Sequence, residues 1–353
     1  MTVHTVEGMI VSGVEMEPVR GRLVVEDGAV EAIERERVAS DAIVVPAFVN
    51  AHVHLGDSVA KDAGAGLTLR ELVAPPDGLK HRLLRAAGAA ELEGAMRRTL
   101  RFMRRGGTGA CADFREGGPE GVRQLRTAAD GLDIDALALG RGDPTVLEVA
   151  DGYGASGAAD DTFDTARQAA AAAGKPFGIH AGEVDAGDIN PALDLEPDFL
   201  VHMVHAEALH LDRVEDAGTP VVVCPRANAS TGVGRPPVPA LLERTTVALG
   251  TDNVMLNSPS MFREMAQTAI QYDIDDATVL RMATANGAAV FDRPDGALEP
   301  GRPARYLVID GGGDNLAGTV DPVRAVVRRA GVADVTSVEL PPIPGSSRGA
   351  SVS

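Results

Sequence analysis

The chain has 353 residues, 44% of them hydrophobic, and 51 acidic against 33 basic side chains give it a formal net charge of −18. That length buries a large core, either one large α/β barrel or a barrel with a smaller satellite, and the acidic excess speaks against nucleic acid and anionic membrane as partners. Two cysteines without C-x-x-C spacing, no basic-then-apolar leader and no run near ~18 apolar residues predict reduced thiols, a cytoplasmic location and no membrane span.

The basic side chains are almost all arginine, with Lys61, Lys80 and Lys175 the lysines, while Asp and Glu are spread along the whole chain. This composition resembles a salt-adapted, halophilic protein with an acidic surface that keeps it dispersed.

Residues 1–44 read as short β-segments: Thr2–Val11, Gly21–Val25 and, after the Asp27-Gly28 turn, Ala29–Ile33. From Pro46 onward apolar strands alternate with helix-like stretches. The strands expected are Pro46–His54, Gly109–Phe114, Ile134–Leu139, Val146–Ala150, Phe177–His180, Phe199–His205, Val221–Cys224 and Val247–Gly250. Eight such units predict a (β/α)8 TIM-like barrel over residues 45–295. Helices are expected at Glu91–Arg105, where Leu92, Met96, Leu100 and Met103 recur at helical spacing, and at Asp164–Ala173, Ser260–Tyr272 and Asp276–Ala285.

The tail segments Pro303–Asp310, Val323–Arg328 and Val335–Leu340 read as strands that join the N-terminal ones. Together, residues 1–44 and 296–340 would make a small β-sandwich domain. Residues 341–353, rich in Pro, Gly and Ser, are expected to be disordered. The Gly-rich pieces Gly152–Gly157 and Gly311–Gly313 lack a phosphate-loop pattern and read as turns.

In a barrel of this kind functional side chains sit at the C-terminal ends of strands. His52 and His54, two residues apart on one strand, share a face and can reach one divalent ion. His180, His202 and Asp252 fall at or near further strand ends. Three imidazoles and a carboxylate from this set would hold a Zn²⁺-like or Fe²⁺-like ion and leave room for a water. His4, His81 and His210 fit no such pattern.

The order P-x-F-V-N-A-H-V-H, H-x-x-E, H-x-x-H, C-P-R-x-N and G-T-D-N resembles the amidohydrolase superfamily, in particular its cytosine deaminase and triazine hydrolase-like aminohydrolase branch. The tail, A-T-A-N-G-A-A-V followed by G-A-L-E-P-G-R-P-A, is similar to that branch as well. The resemblance implies His52, His54, His180 and Asp252 as ligands of a single divalent metal, Zn²⁺ ahead of Fe²⁺. It also places His202 beside that metal, facing water or substrate, and makes His205 structural. Glu183, three residues after His180, would shuttle protons, and Asp252 would also orient the hydrolytic water, so that Glu183, His202 and Asp252 form the catalytic set.

No lysine lies near Ile134–Leu139 or Val146–Ala150 to bridge a second metal. Asp57, Lys61, Arg115, Arg226 and Asn253 follow barrel strands and are candidate substrate contacts. The activity so implied is release of ammonia from an amino-substituted nitrogen heterocycle: a nucleobase, nucleoside or pterin-like compound. Rival expectations are hydrolysis of a cyclic amide or a carbon–halogen bond, and a non-catalytic barrel relative. A homo-oligomer is expected. Ala47 stands where the superfamily usually has Gly, and Arg305 where it usually has an acid.

Overall fold

The computed structural model describes residues 2–73 and 77–343. In chain order the strands are β1 (Val3–Ser12), β2 (Glu17–Glu26), β3 (Ala29–Arg35), β4 (Ile43–Pro46), β5 (Phe48–His54), β6 (Thr108–Arg115), β7 (Asp135–Gly140), β8 (Gly152–Gly157), β9 (Phe177–Ala181), β10 (Phe199–His202), β11 (Val221–Val223), β12 (Val247–Leu249), β13 (Asp252–Asn253), β14 (Tyr306–Ile309) and β15 (Val335–Glu339). They form two sheets.

The first sheet has six strands in the order β15-β14-β4-β1-β2-β3. In β2, from Pro18 on, buried positions alternate with more accessible ones, the period-2 signature of a sheet with one face packed and one wet. The β4 strand ties the chain ends together, pairing in parallel with β1 and antiparallel with β14. The N- and C-terminal segments thus share one sheet, as the sequence suggests, and not the two layers of a sandwich.

The second sheet is all parallel, curled, and ordered β12-β11-β10-β9-β8-β7-β6-β5-β13. Both of its end strands come from the single run Val247–Asn253: β12 pairs with β11, and β13 pairs with β5. Its strands are apolar on both faces because both are covered. One face carries Ala51, Ala112, Phe114, Leu139, Phe199, Val201, Val222 and Ala248, and the other packs on the helices. The helix Ala89–Arg105 buries Leu92, Met96, Leu100 and Met103, so its predicted stripe is the one that packs.

Three local expectations are corrected. Val146–Ala150 is not a strand: Asp143 caps a short 3₁₀ helix, Pro144–Glu148, and Pro144 opens it. The strand in that place is Gly152–Gly157, which is not a turn. Its glycines are needed there, since a Cβ on Gly154 would lie 2.6 Å from the Phe114 ring. Val323–Arg328 is also not a strand. It lies in the helix Pro322–Arg328, in which the Asp321 carboxylate accepts from the Arg324 amide and Val323, Val326 and Val327 form the buried face.

Of the tail expected to be disordered, residues 344–353 lie outside the described residues, and Ile343 is buried. Among the described residues no helix is long and apolar enough to cross a membrane.

Candidate active site

The parallel register brings the polar strand ends together. Ala181, next to His180, pairs with His202 across β9 and β10, while Asp252 pairs with Val53 and Asn253 with His54 across β13 and β5. Asp252 Oδ1 lies 3.2 Å from His52 Nε2 and 3.5 Å from His54 Nε2. One ligating atom each from His52, His54 and His180 lies within 4.8 Å of the others, and the same holds for His52, His202 and Asp252. Two ligands bound at about 2.1 Å to a tetrahedral ion sit about 3.4 Å apart, which is the spacing seen around Asp252.

The hydrogen bonds on the far side of each ring fix which nitrogen faces inward. His180 Nδ1 donates to the Ala155 carbonyl at 2.8 Å, and His54 Nδ1 to the Phe114 carbonyl at 3.2 Å. Nε2 of both rings is therefore free of a proton, and that of His54 faces the Asp252 carboxylate.

Burial holds His52 below its ordinary pKa, His54 down at about 3 and His180 well below the ordinary value, so all three are neutral donors of a lone pair. Burial pushes Asp252 the other way, but the His52 hydrogen bond and the neighbouring imidazoles outweigh it and keep the carboxyl ionised. Apart from His52 Nε2, which is hydrogen-bonded to Asp252, these are buried acceptors converging on one point, a set that fits a divalent cation.

His202 stands beside this cluster, its ring 5.3 Å from that of His180. Asn228 Nδ2 donates to its Nδ1 at 3.1 Å, which leaves the ring proton on Nε2, 3.6 Å from Glu183 Oε2. Burial raises the Glu183 pKa, the Asp252 and Asp188 carboxylates raise it further, and His202 opposes them. His202, Met203 and Asp252 all adopt positive φ, at 78°, 55° and 56°. Such backbone is uncommon outside glycine and is held in place here by the surrounding sheet.

A cavity of about 630 Å³ opens over these groups, bordered by His54, His180, Glu183, His202, Asp252 and Asn253 and walled by Leu69, Val73, Arg141 and Leu256. Of the five expected substrate contacts, Asn253 borders it. The Arg226 guanidinium turns to the buried Glu264 at 3.4 Å and the Ser258 carbonyl at 3.0 Å. Arg115, also buried, donates to the Glu116 carbonyl at 2.9 Å. Lys61 is exposed, and Asp57 is buried 3.1 Å from Lys80 Nζ.

Two groups beside the site, Lys80 and His81, escape the strand-end rule. Lys80 Nζ lies 2.7 Å from Glu116 Oε1, and that oxygen is also 3.3 Å from His54 Nδ1 and 3.2 Å from Arg141. Lys80 sits on the helix Leu79–Ala86, far from any barrel strand. Its one sequence signal is rarity, being a lysine in an arginine-biased chain. His81 also borders the cavity. By contrast His210 belongs to a helix start, its Nδ1 accepting from the Glu207 amide.

The sequence profile of the Amidohydrolase family matches residues 43–350. The chain belongs to the amidohydrolase family. With its relatives it is a hydrolase of carbon–nitrogen bonds. A protein of Methanothermobacter thermautotrophicus that carries the name aminohydrolase is 38% identical over 368 residues, covering 91% of this chain and 93% of that protein. A 5-methylthioadenosine/S-adenosylhomocysteine deaminase of Haloquadratum walsbyi is 29% identical over 364 residues, covering 87% and 79%. Among solved structures, an adenosine deaminase from Xanthomonas campestris with bound zinc superposes with a TM-score of 0.76 at 19% identity, covering 95% of this chain and 91% of that one. The amidohydrolase fold expected from the motifs is thus shared with solved members of the aminohydrolase group.

Proposed function

We propose that this amidohydrolase is a deaminase: with one Zn²⁺ held by His52, His54, His180 and Asp252, it replaces the exocyclic amino group of a small nitrogen heterocycle by oxygen and releases ammonia. The observation that carries the reading is the placement of Glu183, a half-buried carboxyl bordering the cavity, 3.6 Å from His202 Nε2 and with a raised pKa. When bound, a divalent ion supplies a water acidified towards a pKa of about 7 and hence a nucleophile at neutral pH.

The chain's own residues do the rest. A protonated Glu183 gives its proton to the ring nitrogen beside the carbon under attack, which makes that carbon electrophilic. His202, its proton on Nε2, presents a hydrogen-bond donor on the same side of the cavity. Asp252, ionised, accepts the proton lost from the nucleophile. Glu183, now ionised, takes the hydroxyl proton of the adduct and passes it to the amino group, so that ammonia and not an amide anion leaves, and the proton held by Asp252 restores Glu183 to its acid form. Water and the amine substrate are consumed; the oxo compound and ammonia are formed.

The deaminase name of the Haloquadratum walsbyi relative supports this reaction class, and the zinc of the adenosine deaminase neighbour supports the metal. The test is an ammonia-release screen of nucleobases, nucleosides and pterins at high and low salt, with zinc content measured by elemental analysis. Glu183→Gln should retain zinc and lose at least about 10²-fold in kcat. Undiminished turnover in that variant refutes the assigned role.

A further inference from the structure

Lys80 has no place in that reaction, yet it is among the most completely buried charges in the molecule, at 3% exposure. It is carried by the helix Leu79–Ala86, part of the stretch whose Leu69, Val73 and His81 wall the cavity. Its ammonium lies between the buried carboxylate of Asp57, at 3.1 Å, and the half-buried one of Glu116, at 2.7 Å. Glu116 Oε1 in turn lies 3.3 Å from Nδ1 of His54, the ring nitrogen opposite the Nε2 that faces Asp252.

We infer that Lys80 is a positioning residue for the metal centre: from the cavity wall it holds Glu116 against His54, coupling the seating of that wall to metal affinity. The inference rests on the ligand set assigned above. The outer N–H of His54 donates to the Phe114 carbonyl and has the Glu116 carboxylate beside it at 3.3 Å; an imidazole so held keeps its inner lone pair on the metal and gains basicity, and loss of such a carboxylate typically costs 10–100-fold in affinity. Without Lys80, Glu116 keeps Arg141 at 3.2 Å, which pulls it towards a different element, the end of β7.

Charge acts in the opposite sense. A cation beside the site repels the metal, so removing Lys80 alone would relieve repulsion while it loosens Glu116. The decisive variant is therefore the charge-neutral pair Lys80→Met/Asp57→Asn, which removes one cation and one anion from the same cluster and leaves the positional effect. It also avoids stranding both carboxylates, which Lys80→Met by itself would do.

The experiment is Zn²⁺ affinity by competition with a chromophoric chelator, using the full chain, with the melting temperature of the zinc-free proteins as the control for folding. Wild type should bind one Zn²⁺. The neutral pair should bind about 10-fold more weakly, and Glu116→Gln at least as weakly. Adding Glu116→Gln to the neutral pair should cost little more, because the two act through one chain of contacts. A neutral pair within twofold of wild type, or fully additive losses, overturns the inference. Wild type that binds no stoichiometric Zn²⁺ overturns the ligand set beneath it instead, so the two failures are distinct.

Discussion

Arg305 offers the sharpest test of how the two sheets are joined. It is fully buried just before β14, and its guanidinium lies 3.0 Å from Asp135 and 2.9 Å from Asp295. It also donates to the carbonyls of Gly109 and Pro341, both at 2.7 Å. Asp135 and Gly109 belong to the early ends of β7 and β6 in the parallel sheet, whereas Pro341 follows β15 in the terminal sheet. Arg293 contacts the same two carboxylates at 2.8 Å, so two cations balance two anions.

Arg305→Met keeps most of the volume but leaves one uncompensated buried carboxylate and two carbonyls short of a donor. Breaking a buried pair from one side costs about 3–5 kcal/mol, and the two stranded carbonyls together add roughly 1 kcal/mol, giving about 4–6 kcal/mol. At about 2.1 cal/mol/K per residue, the 353-residue chain has an unfolding entropy of about 0.7 kcal/mol/K, so the melting temperature should drop by about 5–8 °C. Urea denaturation followed by circular dichroism measures the loss. Arg305→Met/Asp295→Asn, which restores neutrality, should be more stable than the single variant. A loss under about 1.5 kcal/mol, or a double variant worse than the single, refutes the clamp. A biphasic transition in Arg305→Met alone would support a terminal domain, residues 1–44 with 296–340, that folds as its own unit.

Three further outcomes follow from the site. Gly250→Ala places a Cβ 2.7 Å from His52 Cβ and 3.0 Å from the His52 backbone nitrogen, so it should cost about 1–3 kcal/mol and weaken Zn²⁺ binding at least about 10-fold, read by denaturation and chelator competition. Asn228→Leu removes the donor that sets the His202 tautomer, and kcat for ammonia release should fall about 10–100-fold with zinc content unchanged; zinc loss would place His202 among the ligands instead. Burial raises Glu264 from its usual 4.5 to about 7 against the opposing Arg226, so its folded pKa lies above the unfolded one. The folded state then holds more protons between those values, stability from this group is lost as pH rises from about 4.5 to 7, and the penalty stays constant above that. The stability of Glu264→Gln relative to wild type should therefore rise by about 3 kcal/mol across that window, in urea titrations at stepped pH; a flat difference contradicts the buried-charge reading.

What could be read from the sequence was whatever a short period or a fixed spacing encodes. The terminal strands alternate, the helix Ala89–Arg105 repeats its apolar face, and His52-x-His54 ends a strand whose residues are all buried. These features are local, and the structure places them as the pattern implies. The errors arose where one pattern serves two structures. V-L-E-V-A is short and apolar enough for a buried strand or a 3₁₀ turn, and Asp143 with Pro144 at the helix start decides for the turn. G-Y-G-A-S-G reads as a turn because glycine usually signals one, but here the neighbour Phe114 leaves no room for a side chain, a fact about packing across the sheet.

The site divides in the same way. Donors at strand ends were legible because the barrel rule assigns them a place before any contact is known. Arg115 and Arg226 follow strands equally well, and nothing local distinguishes an arginine that faces a cavity from one that turns to a buried acid such as Glu264. Lys80 was illegible for the converse reason. It reaches the site from a helix well past His54 in the chain, through a carboxylate that contacts both, and such a relation exists only in three dimensions. If the neutral pair weakens zinc binding as expected, the helix Leu79–Ala86 does more than wall the cavity: its correct seating is then a condition for the metal centre itself.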